Sequence, residues 1–464
     1  MMLSDLCSAV DGKVIGADTA FARVSTDTRS IKKGDLFFAL KGANFDAHHY
    51  LAQAVQAGAC AIVVEKESPH VAVPQLLVED CCNALGQAGR LNREAYCGML
   101  VAITGSNGKT TVKGMLKSVF SERGRVLATE GNLNNHIGVP LTLMKLDVHH
   151  SYAVLEAGTS GKNEIAYLTS LIQPEIALVN NIMSAHLEGF GCKAAIAEEK
   201  SAIYSSTKLR IGVVNLNSAY CSEFLLKLKG KTVTGFARVE TTEELERVVA
   251  KFDKAVNRLV LARVLVKDDR GCNRFELIDG TEQSSVTLRV PGLHNVNNAL
   301  AAAACALSCG LPLSVIVVGL EKFAGESGRM QTVASILCDQ LVDDSYNANP
   351  GSMRAAIDFL AEKAKSVLIV GDMAEVGSNA EQEHFAIGDY AKKKGINTVI
   401  AVGPLSRFVA EGYGEGAVWF SGREELFEGL GKLNFKNSVV LVKGSRNSRM
   451  EKVVQTLKQR EEDC

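Results

Sequence analysis

The run Leu100-Val101-Ala102-Ile103-Thr104 passes directly into Gly105-Ser106-Asn107-Gly108-Lys109-Thr110-Thr111, and a helical pattern follows. No other segment constrains the fold so tightly. Five apolar or β-branched residues in a row suit a strand covered on both faces, as in a parallel sheet. A glycine-rich turn between such a strand and a helix is the phosphate-loop arrangement. Glycines let backbone N–H groups turn inward toward phosphate oxygens, and the helix start adds its positive dipole end. Lys109 then neutralises the outer phosphates, and Thr110 offers a hydroxyl to Mg²⁺. The pattern is the shorter G-x-x-G-K-T, because Ile103 stands where the longer loop has its first glycine. A purely structural turn is the alternative for these residues.

The rest of the chain alternates short β-rich runs with helical patterns, which places it in the α/β class. Its 464 residues allow two to four domains, and three blocks are expected, at 1–85, 86–311 and 312–464. The first holds the strands at 35–40 and 60–64 around a helical stretch at 50–57. The second starts from the phosphate-loop strand and continues through runs at 152–155, 176–179 and 211–215. Residues 232–290 are expected to form antiparallel strands, with turns at 268–271 and 279–280, before a helix from Asn297 to Ser308 stopped by Gly310. The third block carries runs at 341–344, 367–370, 398–402, 417–420 and 439–442 with helices between. That is a doubly wound, Rossmann-like pattern, with sites beyond the carboxyl ends of the strands.

With a formal net charge of −1, no global field argues for nucleic acid or an anionic membrane as partner. No stretch approaches the ~18 apolar residues of a membrane span. Met1 to Asp5 lack a basic region leading into a long apolar core, so no secretory signal is expected. Twelve cysteines without a C-x-x-C pair fit buried thiols in a reducing compartment. Lys392, Lys393 and Lys394 fit the solvated end of a helix.

Several segments, in order along the chain, resemble the Mur ligase family. They are the phosphate loop at 104–110, Gly131-Asn132-Leu133-Asn134-Asn135-His136, Ala185-His186-Leu187-Glu188-Gly189 with Glu199-Lys200, Pro291-Gly292-Leu293-His294-Asn295-Val296-Asn297-Asn298, and Ser327-Gly328-Arg329-Met330. Three more, at 343–350, 371–377 and 442–446, point within the family toward addition of a dipeptide. The resemblance implies a small N-terminal UDP-binding domain, a central parallel-sheet ATPase domain and a C-terminal Rossmann-like domain. It also implies an ATP-dependent amide ligase of the cytoplasm, a monomer that joins D-alanyl-D-alanine to UDP-N-acetylmuramoyl-tripeptide through an acyl phosphate. The expected cofactors are ATP and two Mg²⁺ ions.

The resemblance also carries residue roles. Gly105, Ser106, Asn107, Gly108, Lys109, Thr110 and Thr111 would hold phosphates. Thr110, Glu156, His186 and a carbamylated Lys200 would serve the metal ions, and Lys109, Glu156, His186 and Lys200 form the catalytic set. Glu156 closes a buried strand, where a carboxylate can face the loop. Lys200, read without the resemblance, is a surface lysine in a helical segment, beside the acidic Glu198 and Glu199. Asn295 and Asn298 would read adenine, with a helix N-cap as the other role for Asn295. Arg329 and Asp344 would reach phosphates and ribose, around a hinge at 325–328. Ser25, Asp27, Arg29, Asn44, Asp46, Asn134 and Asn135 would bind the UDP substrate, although Ala47 stands where glycine is expected. Asn347, Asn349 and Lys443 would hold the dipeptide. Two alternatives remain open on sequence: a folylpolyglutamate-synthase-like ligase and a nucleotide-switch binding protein.

Overall fold

The computed structural model describes residues 1–183, 190–374 and 376–458. Among them the strands form three main sheets, of five, nine and six strands, and a two-stranded ladder pairing Lys41–Gly42 with Phe45–Asp46.

The first sheet runs in the order Lys13–Ile15, Gln75–Leu77, Ala59–Val64, Asp35–Phe38, Arg23–Ser25. All its neighbours are parallel except the first pair. The helix Cys81–Ala95 covers it, capped by Asp80, whose carboxylate accepts from the N–H groups of Cys82 and Asn83. This helix runs through the boundary expected after residue 85. It also contacts the central helices Gly138–Leu143 and Glu164–Ile172. Arg93, fully buried at its end, donates to the carbonyls of Ile172 (2.8 Å) and Gln173 (2.7 Å) and to Glu175 Oε1 (2.5 Å).

The central sheet has the order Glu282–Pro291, Cys272–Asp279, Arg258–Lys267, Thr232–Val239, Ile211–Asn215, Ile176–Val179, Met99–Thr104, His150–Glu156, Arg125–Ala128. Successive residues of Met99–Thr104 enter opposite cores. Val101 and Ile103 pack with the helices Lys109–Ser121 and Leu293–Ser308, while Leu100 and Ala102 pack on the other face. Ile103 pairs with Glu156 and Thr104 with Val179, so three strand ends converge at the phosphate loop.

Three expectations are corrected here. Thr232–Val239 and Arg258–Lys267 are parallel, joined by the helix Thr242–Phe252, so residues 232–290 are not all antiparallel. Thr241 caps that helix by accepting from Glu244 N, and one amphipathic face packs Leu245, Val248 and Val249 on the sheet. The hairpins at 268–271 and 279–280 do form the antiparallel edge. The helix expected from Asn297 begins at Leu293, because Gly292 takes up the turn at φ 93°. The helix Leu313–Lys322, assigned by sequence to the third block, buries Leu313, Ile316 and Leu320 in the central core. Pro312 is its N-cap, not the start of a domain.

The third sheet orders Gln331–Val333, Gln340–Asp344, Val439–Lys443, Ser366–Gly371, Thr398–Val402, Ala417–Phe420. All neighbours are parallel except the edge strand Gln331–Val333, which the sequence reading did not anticipate. Separate apolar clusters on its two faces make it doubly wound.

Candidate active site

A cavity of about 1040 Å³ lies where the carboxyl ends of the central strands meet the third sheet. Its floor is the phosphate loop. Gly108 holds φ 78° at the start of the helix Lys109–Ser121, and a Cβ there would collide with Asn298 Oδ1 and Asn180 Nδ2. Glycine is therefore required by both conformation and space. Lys109 Nζ folds back to donate to Gly105 O at 2.7 Å. Asn107 N donates to Asn181 Oδ1 (2.9 Å), and Ser106 N to Asn181 O (3.0 Å), fixing the loop against the end of Ile176–Val179.

Glu156 sits beside the loop and is 1% exposed. Thr110 Oγ1 donates to its Oε2 at 3.3 Å and Asn134 Nδ2 reaches the same oxygen at 3.5 Å. Glu156 Oε1 accepts no hydrogen bond, and Lys113 Nζ lies 3.6 Å away. A buried carboxylate oxygen without a donor, next to a threonine hydroxyl, suits an oxygen-seeking cation such as Mg²⁺. Among the described residues no three His, Cys, Asp or Glu side chains cluster as a ready-made metal site. His186, expected as a ligand, lies outside the described residues.

Lys200 is 1% exposed, on the helix Lys193–Ser201. The surface lysine read from local sequence is thus replaced by a buried one. Burial, and then the charge of Lys109, push its pKa down to about 7. Glu199 turns elsewhere, accepting from the N–H groups of Asn163 (2.7 Å) and Ile165 (2.8 Å) at the start of Glu164–Ile172.

An amide network rims the cavity. Asn295 Nδ2 donates to Pro291 O (2.7 Å) and Asn298 Nδ2 to Asn295 Oδ1 (3.0 Å), so Asn295 lies inside the helix and is not its cap. Asn180 Nδ2 donates to Asn298 Oδ1 (3.1 Å) and to Asn107 O (3.0 Å). Asn349 Nδ2 donates to Asn107 Oδ1 (2.7 Å), and Asn107 Nδ2 returns a bond to Asn349 Oδ1 (3.3 Å). Asn349 also caps the helix Pro350–Ala361.

From the third sheet, Lys443 Nζ meets Asp344 Oδ2 at 2.5 Å and Asn347 O at 3.0 Å, with Lys443 2% exposed. The ammonium of Lys443, a residue expected to hold the dipeptide, is therefore engaged by Asp344 and Asn347. Asp344 Oδ1 accepts from Met330 N (3.1 Å), and the Arg329 guanidinium lies over the Tyr346 ring at 4.2 Å. Arg446 approaches the same ring at 5.8 Å. Burial holds the pKa of His294, also on the cavity wall, below the ordinary histidine value.

Asn134 and Asn135 line the cavity, whereas Ser25, Asp27, Arg29, Asn44 and Asp46 do not. Ser25 Oγ donates to Asp27 O (2.9 Å). Arg29 pairs with Asp27 at 2.6 Å in the open, holding the Asp27 carboxyl down at about 2. Asp46 pairs with His48 Nδ1 at 2.7 Å, and Asn44 is exposed. Asn135 Oδ1 accepts from Gly138 N (2.8 Å) at a helix start.

Family models match in three stretches: the Mur ligase family catalytic domain at residues 21–91, the Mur ligase middle domain at 103–306, and the Mur ligase glutamate ligase domain at 328–446. UDP-N-acetylmuramoyl-tripeptide–D-alanyl-D-alanine ligase of Escherichia coli (strain K12) is 40% identical over 462 residues, 98% of either chain. The chain belongs to the Mur ligase family. The same-named ligase of Haemophilus influenzae is 37% identical over 469 residues, covering 98% of this chain and 97% of the relative. A crystal structure of MurF from Acinetobacter baumannii is 33% identical and superposes with a TM-score of 0.86 over 98% of each chain.

Within this Mur ligase site, sequence reasoning missed Lys113, Asn180, Asn181 and Asn215. Three of these lie at or just past the carboxyl ends of strands, where a parallel sheet gathers its site. Lys113 gave no local signal, since one turn after Lys109 it reads as an ordinary helix lysine.

Proposed function

We propose that this chain is an ATP-dependent amide ligase that joins D-alanyl-D-alanine to UDP-N-acetylmuramoyl-tripeptide, giving the UDP-pentapeptide for peptidoglycan synthesis. One observation carries this beyond family membership. A single cavity joins a phosphate loop and a donor-poor buried carboxylate on one domain to a cationic, amide-rich wall on another. An ATPase switch needs only the first half.

A carboxylate does not react with an amine at neutral pH, because its oxygen is a poor leaving group. The stem-peptide carboxylate therefore attacks the γ-phosphorus of ATP, breaking the bond to the β-phosphate oxygen. The resulting acyl phosphate is attacked by the dipeptide amine. The C–N bond forms, phosphate leaves, and the amine loses a proton. The residue roles follow the donors available. The backbone and side chains of residues 105–111 hold phosphates, with Lys109 placed to neutralise the transferring group. Thr110, Glu156 and Lys200, together with His186, would hold Mg²⁺. The metal supplies charge neutralisation of the phosphates when bound. Lys200, with its pKa near 7, has a neutral amine available to add CO₂, forming an N–C bond and releasing a proton. The carbamate would be an oxygen donor where an ammonium would repel a metal. Intact mass of the natively prepared protein lacking the CO₂ increment under added bicarbonate would count against it.

Asn295 and Asn298 are proposed for adenine and Asp344 for ribose, with Lys443 orienting Asp344. Arg329 is proposed for phosphate. Asn347, Asn349 and the 443–446 segment face the dipeptide, and the better placed cation there is Arg446. Ser25, Asp27, Arg29, Asn44, Asp46, Asn134 and Asn135 are proposed for the UDP-linked substrate, which spans from the first sheet to the cavity. The cysteines among the described residues are free thiols, in keeping with a cytoplasmic setting.

The test is phosphate release from ATP by the purified chain with Mg²⁺ and UDP-N-acetylmuramoyl-tripeptide, with and without D-alanyl-D-alanine. Release should require both substrates and yield a UDP-pentapeptide by mass. Release indifferent to the dipeptide defeats the proposal.

A further inference from the structure

One buried cation behind the cavity floor, next to Glu156, has no part in the roles above. Lys113 lies one turn beyond Lys109 on the helix Lys109–Ser121 and is 6% exposed. Its Nζ is 3.6 Å from Glu156 Oε1 and 3.9 Å from Glu326 Oε1. Burying an ammonium is costly unless carboxylates compensate it, so two carboxylates around one lysine form a deliberate charge cluster. The contacts are unequal in kind. Glu156 is buried and its Oε1 takes no hydrogen bond, so the ammonium neutralises the carboxylate without capping it.

Glu326 belongs to the segment that leads from the helix Leu313–Lys322 to the third sheet. Gly325 (φ 102°) and Gly328 (φ 71°) flank it, and Arg329 N donates to Glu326 O at 3.1 Å. Its carboxylate lies against the Lys109–Ser121 helix where Gly114 has no side chain; a Cβ there would collide with Glu326 Oε1. Glu326 therefore touches the phosphate-loop helix with its side chain and holds Arg329 with its backbone.

We propose that Lys113 is the resident counter-cation of Glu156 and transfers to Glu326 when a divalent cation is taken up, drawing residues 324–329 and Arg329 onto the central domain. The inference rests on the metal role proposed for Glu156. A divalent ion beside Oε1 repels the ammonium, and the second carboxylate gives that charge a place to go. Metal uptake is thereby coupled to the position of a residue on another domain. Lys113 and Glu326 are positioning residues, since neither need touch substrate.

The experiment uses the full chain with MgCl₂ and a non-hydrolysable ATP analogue. It reads the Mg²⁺ midpoint by thermal shift and compaction by small-angle scattering. Lys113→Met should tighten the Mg²⁺ midpoint about tenfold, since a competing charge is gone. Lys113→Arg, which keeps that charge, should stay within about twofold of wild type. Glu326→Gln should weaken the midpoint several-fold and reduce ligand-induced compaction. Should Lys113→Met fail to fold, the Arg and Gln variants still decide the matter. Midpoints for all variants within twofold of wild type, whatever their thermal stability, overturn the proposal and leave a structural ion pair. A wild-type chain showing no Mg²⁺-dependent binding of the analogue instead overturns the functional reading on which it rests.

Discussion

Replacing Lys200 by Met tests whether the buried lysine is neutral in the folded protein. Its pKa falls from 10.5 to about 7, and it is 1% exposed. Below pH 7 both folded and unfolded lysines carry a proton, and the fold bears the full cost of burying the charge. Above pH 7 the folded lysine releases its proton while the unfolded chain keeps it until about pH 10.5. The unfolded state then binds more protons, so stability rises with pH across that window. Integrating from pH 7 to pH 9 gives a gain of about 2 kcal/mol for the wild type. Met cannot titrate and shows no such gain, while every other titrating group is common to both proteins. The assay is urea unfolding followed by circular dichroism, in buffers purged of CO₂ so that only the amine titrates. Lys200→Met should be the more stable protein at pH 7, with its advantage shrinking by about 2 kcal/mol at pH 9. Parallel pH profiles, agreeing within ~0.5 kcal/mol, would mean that Lys200 stays charged in the fold. Carbamylation would then lose its chemical basis.

Arg93→Met removes a fully buried guanidinium from the carbonyls of Ile172, Gln173 and Tyr96 and from Glu175, which keeps a bond from Leu100 N. The loss should be about 3 kcal/mol by urea unfolding, since Glu175 retains some water contact; a change below ~1 kcal/mol would refute the accounting. Asn349→Ser keeps a good cap on Pro350–Ala361 but cannot span to Asn107. Thermal stability should hold while the KM for ATP rises about two- to tenfold, the worth of one or two hydrogen bonds; an unchanged KM would show that the bridge is idle in turnover. Gly108→Ala places a methyl against Asn298 and Asn180 at φ 78°. It should cut ATP-dependent phosphate release by at least about tenfold at a stability cost of 1 kcal/mol or more, and normal turnover would mean that the loop is not where phosphates bind.

The legible parts of this molecule were those set by neighbours in sequence. The strand and loop at 99–111 declare themselves because a continuous apolar run and a glycine turn are local properties. The end of the strand His150–Glu156 likewise announces a carboxylate in a functional position. The misread helix Thr242–Phe252 follows strongly β-branched strands on either side, and its own amphipathic period was outweighed by that context. The third-block assignment of Leu313–Lys322 failed for another reason. Pro312 punctuates the chain in the same way whether a domain or only a helix begins there.

Sequence by itself therefore determined the α/β class, most of the element order, the phosphate loop and, through ordered motifs, the family. Tertiary structure alone buried Lys200 and so lowered its pKa, because burial is a property of the surroundings and not of the residues beside it. It alone brought Asn107 to Asn349 and Asp344 to Lys443, pairs separated by 242 and 99 positions. It alone put Lys113 between Glu156 and Glu326. Electrostatic energy depends on distances through space, and the chain's covalent order does not encode those distances until the sheets have formed.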